Sequence, residues 1–275
     1  MPSLVLVLDS ATQLGPQHRG RVVITGSHGG LYPAYLAARA SLLGVVFNDA
    51  GIGKDAAGIA SLGYLERMGI PAATVSHLSA RIADGVDIAR RGTVSHVNAI
   101  AAALGCKPGE TARQTAERML KAEPRSVRPP HYAEGRVLLQ ERAGEREVWG
   151  IDSAALMEAS DAGRIMVTGS HGALLAGRSD HIVKGPPLAA FFNDASIGID
   201  EAGVSRLGAL DGMGVMGATV AAASARIGDA RSSWETGVIS RVNRKAWTAG
   251  GREGDLLRAF IARIAAGAPQ PSGRR

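Results

Sequence analysis

Two histidines stand in nearly identical nine-residue phrases, His28 in VVITGSHGG (22–30) and His171 in IMVTGSHGA (165–173). An imidazole titrates near neutral pH, so beside a carboxylate it can act as a general acid or base. Carboxylates recur at matching places. In the first half of the chain four apolar runs end in Asp9-Ser10, Ser27-His28, Asn48-Asp49 and Ser76-His77. In the second half the endings are Asp152-Ser153, Ser170-His171 and Asn193-Asp194, and then Ala221-Ala222. The catalytic set expected from this pattern is His28, tuned by Asp9 or Asp49, with Ser27 and, in the second copy, His171. The expected substrate-binding set is Gly29, Gly30, Asn48, His77, Arg81, Ser170, Asn193 and Arg226. Ser27, Asn48 and the amides of GSHGG would hold a developing oxyanion. Arg81 would anchor a carboxylate, as Arg226 would in the second SARI stretch.

Each of these residues also has a plainer use. Gly29 and Gly30 suit either a tight turn or a backbone nest for an anion. Ser27 suits an N-cap, and Asp9 and Asp49 suit bonds to nearby backbone groups. Arg81 can pair with Asp84, and Arg226 with Asp229, three residues on. Asn98 and Asn243 are polar on otherwise apolar helices and are expected to hydrogen-bond between repeats. An Asp9, His28 and Asp49 cluster has the donors for a divalent ion. No HExxH or Cys-based zinc spacing accompanies it, so no metal ligand and no cofactor is assigned.

These residues need elements to position them, and the chain writes those elements twice. DSATQLGPQHRGRVVITGSHGG falls on DSAALMEASDAGRIMVTGSHGA. After a short offset, FNDAGIGKDAAGIASLGYLERMGIPAATVSHLSARIAD falls on FNDASIGIDEAGVSRLGALDGMGVMGATVAAASARIGD. A repeat this long indicates two related domains, not a solenoid. The expected division is a repeat over 1–121, a Pro- and charge-rich linker over 122–145, a second repeat over 146–267 and a flexible tail over 268–275. Within a repeat, LVLVLD, RVVITG, GVVFND and AATVS read as strands. LYPAYLAARAS, DAAGIASLGYLERMG, SHVNAIAAALG and GETARQTAERMLKA read as helices. Continuously apolar strands alternating with helices predict a three-layer α/β/α unit with a mostly parallel sheet, duplicated in tandem and related by a pseudo-two-fold. Ligands of such sheets bind at the carboxyl ends of the strands, where the polar pairs fall.

Composition narrows the classes. Aromatic residues make up 4% of the 275, which excludes a nucleic-acid module built on stacking. The net charge is +6, and the Lys and Arg of 121–147 and of the terminal PSGRR read as solvated connectors. A single cysteine, Cys106, rules out an intrachain disulfide and fits a reducing cytoplasm. MPSLVLVLDSA lacks a basic flank and reads as a strand, not a signal peptide, and no apolar run is long enough to span a membrane. The expected partners are a small-molecule substrate and further copies of the chain in a homo-oligomer, with neither nucleic acid nor membrane.

The order strand, SHGG, helix, strand, NDAGIG, helix resembles the layout of caspase-like peptidases and CHAT domains over some forty residues per repeat. The resemblance implies a three-layer α/β fold and matches His28 and His171 to the base. It places the nucleophile position near Ala50 and Ala195, which cannot attack, so peptidase activity does not transfer. The function expected is a cytoplasmic enzyme, a hydrolase or lyase, acting on a small polar carboxylate-bearing molecule by His/Asp acid-base chemistry. The alternative is a non-catalytic metabolite-binding or assembly protein using the same edge. Lys54, His77 and His96 stand where the second copy has Ile199, Ala222 and Arg241. Such unequal divergence favours an enzyme centred on the first repeat, or one composite site.

Overall fold

The computed structural model describes residues 5–178 and 183–266; the expected tail over 268–275 lies outside them. The chain divides into two compact units. The first comprises residues 1–133 together with Leu175–Gly177 and Ala195–Ala202, and the second comprises the rest.

The first unit contains β1 (Val5–Leu8), β2 (Val22–His28), α1 (Leu31–Arg39), β3 (Gly44–Asn48), α2 (Ser61–Glu66), β4 (Ala72–Val75), α3 (Gly85–Arg91), β5 (Val94–Val97), α4 (Ala99–Ala103) and α5 (Ala112–Met119). The strands pair in the order β1-β2-β3-β4-β5, all parallel except β5, which is antiparallel to β4. Alternate strand residues enter different cores, because successive strand side chains point to opposite faces. Val23, Val45, Phe47 and Ala72 pack with Tyr35 and Leu36 of α1 and Leu65 of α2. Val22, Ile24, Val46 and Ala73 pack with Ile88 of α3 and Ala116 and Met119 of α5. Burial on both faces is why these strands read as continuous apolar runs.

The second unit contains β6 (Arg136–Gln140), β7 (Val148–Ile151), β8 (Ile165–His171), β9 (Ala189–Asn193), α6 (Arg206–Gly212), β10 (Met216–Val220), α7 (Ala230–Thr236), β11 (Ile239–Val242), α8 (Arg244–Thr248) and α9 (Leu257–Ala266). Its sheet runs β11-β10-β9-β8-β7-β6, parallel in the middle and antiparallel at both edges. One core gathers Val167, Phe191, Trp234, Phe260 and Ile261, with Phe191 and Phe260 edge to face at 6.0 Å. β6 falls within the span read from composition as a linker; its RVLLQ run pairs with β7. Arg136 fastens this strand by a bidentate ion pair to the fully buried Asp161, at 2.5 and 3.1 Å.

Two stretches differ from their sequence pattern. SHVNAIAAALG is not one helix: Ser95–Val97 belong to β5, and α4 begins after Asn98. The Asn98 side chain caps α4 by accepting from Ala101 N, accepts from Ala72 N, and donates to Ile70 O. Asn243 makes the equivalent bonds to Ala246, Gly217 and Val215. Both amides therefore serve their own unit and do not make the inter-repeat bonds expected of them. DAAGIASLGYLERMG is α-helical only from Ser61: Lys54–Ile59 form 3-10 turns interrupted at Asp55 and Ala56, which adopt left-handed φ of 54° and 55°. No described helix is long and apolar enough to cross a membrane.

Candidate functional site

The polar pairs sit where the sequence pattern places them, at the carboxyl ends of adjacent strands. Asp9 follows β1, His28 ends β2, Asn48 ends β3 with Asp49 next, and Ser76-His77 follows β4. His28 lies in register with Asn48. What each side chain does at that edge divides the set in two.

Most of the set builds the edge itself. Ser27 Oγ accepts from Ala11 N at 2.8 Å, and Ser170 Oγ accepts from Ala154 N at the same distance. Asp9 accepts from Gly85 N, as Asp152 does from Ala230 N. Asn48 donates to Ala80 O and accepts from Ala50 N; Asn193 donates to Ala225 O. Gly29 N donates to Asn48 O, and Gly30 N donates to His28 Nδ1 at 3.1 Å. The amides expected to receive an oxyanion are thus engaged inside the turn. Gly29 is demanded by space, since a Cβ there would meet Gly58 O at 2.6 Å. His171 Nδ1 likewise accepts from Ala173 N at 3.3 Å.

His28 is consequently a turn-holder. Its Nδ1 lone pair is committed to Gly30, so the neutral ring carries its proton on Nε2. Burial of the ring lowers its pKa to about 4, although the residue as a whole keeps partial exposure. An imidazole that weakly basic is neutral at pH 7 and a poor proton acceptor.

Arg81 is taken up by internal carboxylates. Its guanidinium meets Asp84 at 3.1 Å, Asp87 at 3.4 Å and Asp200 at 3.5 Å. Arg226 pairs with Asp229 at 2.8 Å. The plainer reading of both arginines describes these contacts, and the carboxylate clamp does not.

Asp49 and His77 are the exception. Asp49 Oδ1 accepts from Gly51 N and His77 N, both at 2.9 Å, and lies 3.0 Å from His77 Nδ1. Burial pushes the Asp49 carboxyl up, but hydrogen bonds from the His77 ring, from the N–H groups of Gly51 and His77, and from the Ser95 side chain outweigh it and hold the group below its ordinary value. The carboxylate can only accept, so His77 Nδ1 carries the hydrogen and Nε2 keeps its lone pair. The Asp49 side chain is 5% exposed and that of His77 is 20% exposed, so the ring reaches solvent while its partner does not.

The loop holding Asp49 is strained. Ala50, Gly51, Ile52 and Gly53 all have positive φ, at 47°, 72°, 65° and 68°. Ala195, Ser196, Ile197 and Gly198 repeat the run at 47°, 59°, 65° and 71°. Left-handed backbone costs an ordinary residue roughly 1–2 kcal/mol, and such strain gathers at functional sites. The Asn48 and Asp49 side chains hold the first loop through Ala50 N and Gly51 N.

Residues Ala195–Ala202 belong to the first unit, and they bring Ser196 and Asp200, which the sequence pattern did not single out. Ser196 Oγ donates to Ala50 O at 3.4 Å. Ile199 N donates to His77 O at 2.9 Å. A Cβ added to Gly51 would overlap Ser196 Oγ and lie 3.4 Å from His77 Cε1, so hydroxyl and imidazole border the same small space. Asp200 pairs with Arg91 at 2.5 Å. The signal for Ser196 was present in the aligned copies, where NDAGIG faces NDASIG.

Among the described residues, no group of three or more His, Cys, Asp and Glu side chains is spaced to hold a metal ion. The site consists of a buried carboxylate, an oriented imidazole with an open Nε2, and a strained loop with a hydroxyl beside the ring. No family model, characterised protein or solved structure matches the chain.

Proposed function

We propose that the protein is a hydrolytic enzyme for a small polar substrate, with His77 as general acid and base and Asp49 as its positioning residue. One observation carries the reading. Both copies of the repeat keep the aspartate and its bond to the backbone that follows the next strand: His77 N to Asp49 in the first and Ala222 N to Asp194 in the second. Turn-holding therefore accounts for both aspartates. It does not account for the imidazole, present only in the first copy and aligned 3.0 Å from the carboxylate.

His77 takes over the base role that the sequence pattern suggested for His28, since a ring with pKa about 4 is a poor proton acceptor at neutral pH. The carboxylate-bearing substrate is not carried forward, because Arg81 already faces Asp84, Asp87 and Asp200. The experiment is a panel of p-nitrophenyl esters and small chromogenic amides turned over by the full chain and by His77→Ala and His28→Ala. On the substrates turned over, His77→Ala should lose about 10²–10⁴-fold in kcat/KM. The folded fraction of His28→Ala should keep most of its rate. Turnover unchanged in His77→Ala would reject the assignment. Stabilisation by a metabolite without turnover of any substrate would favour the binding-protein alternative.

A further inference from the structure

We infer that Ser196, delivered by the second copy of the repeat, is the nucleophile of this site, and that the reaction proceeds through a covalent acyl-serine on an ester or amide substrate. The inference rests on the acid-base reading of Asp49 and His77 and adds the atom they serve.

Two features single out this hydroxyl. The first is place: Ser196 Oγ and His77 Cε1 border the same point above Gly51. Cε1 lies between the two ring nitrogens, and Nδ1 is turned to Asp49, so the side of the ring that remains is Nε2. The second is strain. Ser196 has φ of 59° at a position where the other copy has glycine, in a turn leading from strand β9 toward helix α6. A sharp strand-to-helix turn projects a short side chain clear of the sheet edge.

The two copies differ reciprocally. The first has His77 and Gly51; the second has Ala222 and Ser196 at the matching positions. Each copy thus lacks what the other supplies, and only one complete Asp–His–Ser set can form from Asp49, His77 and Ser196. A structural serine would need no such complement.

In the acyl-transfer step, His77 Nε2 takes the proton of the Ser196 hydroxyl as Oγ bonds to the substrate carbonyl carbon. The bond from that carbon to the leaving oxygen or nitrogen then breaks, and the leaving group takes the proton from His77. Water adds to the acyl carbon with His77 again accepting its proton, and the Oγ–C bond breaks as Oγ is reprotonated.

The test uses diisopropyl fluorophosphate on the full chain, read by intact mass and peptide mapping. It forms an Oγ–P bond with loss of fluoride, the proton leaving through His77. Wild-type protein should gain one adduct, on Ser196. Ser196→Gly, which copies the residue at the matching left-handed position, should fold and gain none. His77→Ala should label at least about 10²-fold more slowly. Folded wild-type protein that stays unlabelled at Ser196, or is labelled elsewhere at the same rate in Ser196→Gly, overturns the inference. Hydrolysis of p-nitrophenyl acetate separates the two readings. Turnover kept in Ser196→Gly but lost in His77→Ala removes the nucleophile and leaves the acid-base pair; turnover kept in both removes both.

Discussion

Asp49 grips His77 twice through one oxygen, from the backbone N–H at 2.9 Å and from the ring Nδ1 at 3.0 Å. The first contact orders the chain after β4 and the second fixes the ring, so the turn and the tautomer are set by one atom. Asp49→Asn keeps an acceptor for the backbone but removes the charge that stabilises an imidazolium. Labelling by diisopropyl fluorophosphate should fall by at least about 10²-fold with little change in melting temperature. The downfield Nδ1–H proton resonance of His77 should shift upfield in the same sample. Equal labelling with an unchanged resonance would leave Asp49 a turn residue only.

Ser196 should cost stability where it stands. Its φ of 59° strains any residue with a Cβ. Ser196→Ala keeps that strain and Ser196→Gly relieves it. The glycine variant should therefore be the more stable of the two by up to about 1 kcal/mol, partly offset by the greater freedom of glycine in the unfolded chain. Urea denaturation of both variants reads the difference. An alanine variant as stable as the glycine one would show that the loop carries no strain there.

His28 should make stability pH-dependent. Its pKa falls from 6.5 to about 4 on folding, so the unfolded chain binds the proton more readily than the native one. The contribution is fully present above pH 6.5 and is lost as pH falls from 6.5 toward 4. Its upper bound is roughly 3 kcal/mol, less what partial exposure of the residue screens away. Urea midpoints of wild type and His28→Asn should converge as pH drops through that window. Parallel curves would mean that the ring titrates natively.

The alternation of strands and helices was legible because doubly buried strands leave unbroken apolar runs such as VVIT and GVVF. The polar edge was legible for the same reason, since those runs stop where burial stops. The short edge strand β5 was not. VSHV runs straight into NAIAAALG, and only the cap made by Asn98 separates strand from helix. The role of His28 was hidden because its ring bonds a backbone amide two residues on, a local contact with no signature beyond the glycine itself. His77 was visible as a polar strand ending, but its link to Asp49 depends on β3 and β4 being neighbours. Ser196 carried the faintest signal: Ala50 and His77, beside its hydroxyl, lie more than a hundred residues away, and the contrast between NDAGIG and NDASIG is what marks it.

The first unit is not one continuous stretch of chain, because Leu175–Gly177 and Ala195–Ala202 complete it. Proteins are made from the N-terminus and begin to fold as they emerge. On the acyl-serine mechanism inferred above, a nascent or truncated chain ending before residue 195 would carry Asp49 and His77 but lack the Ser196 hydroxyl, so broken or half-made chains would not act as stray hydrolases.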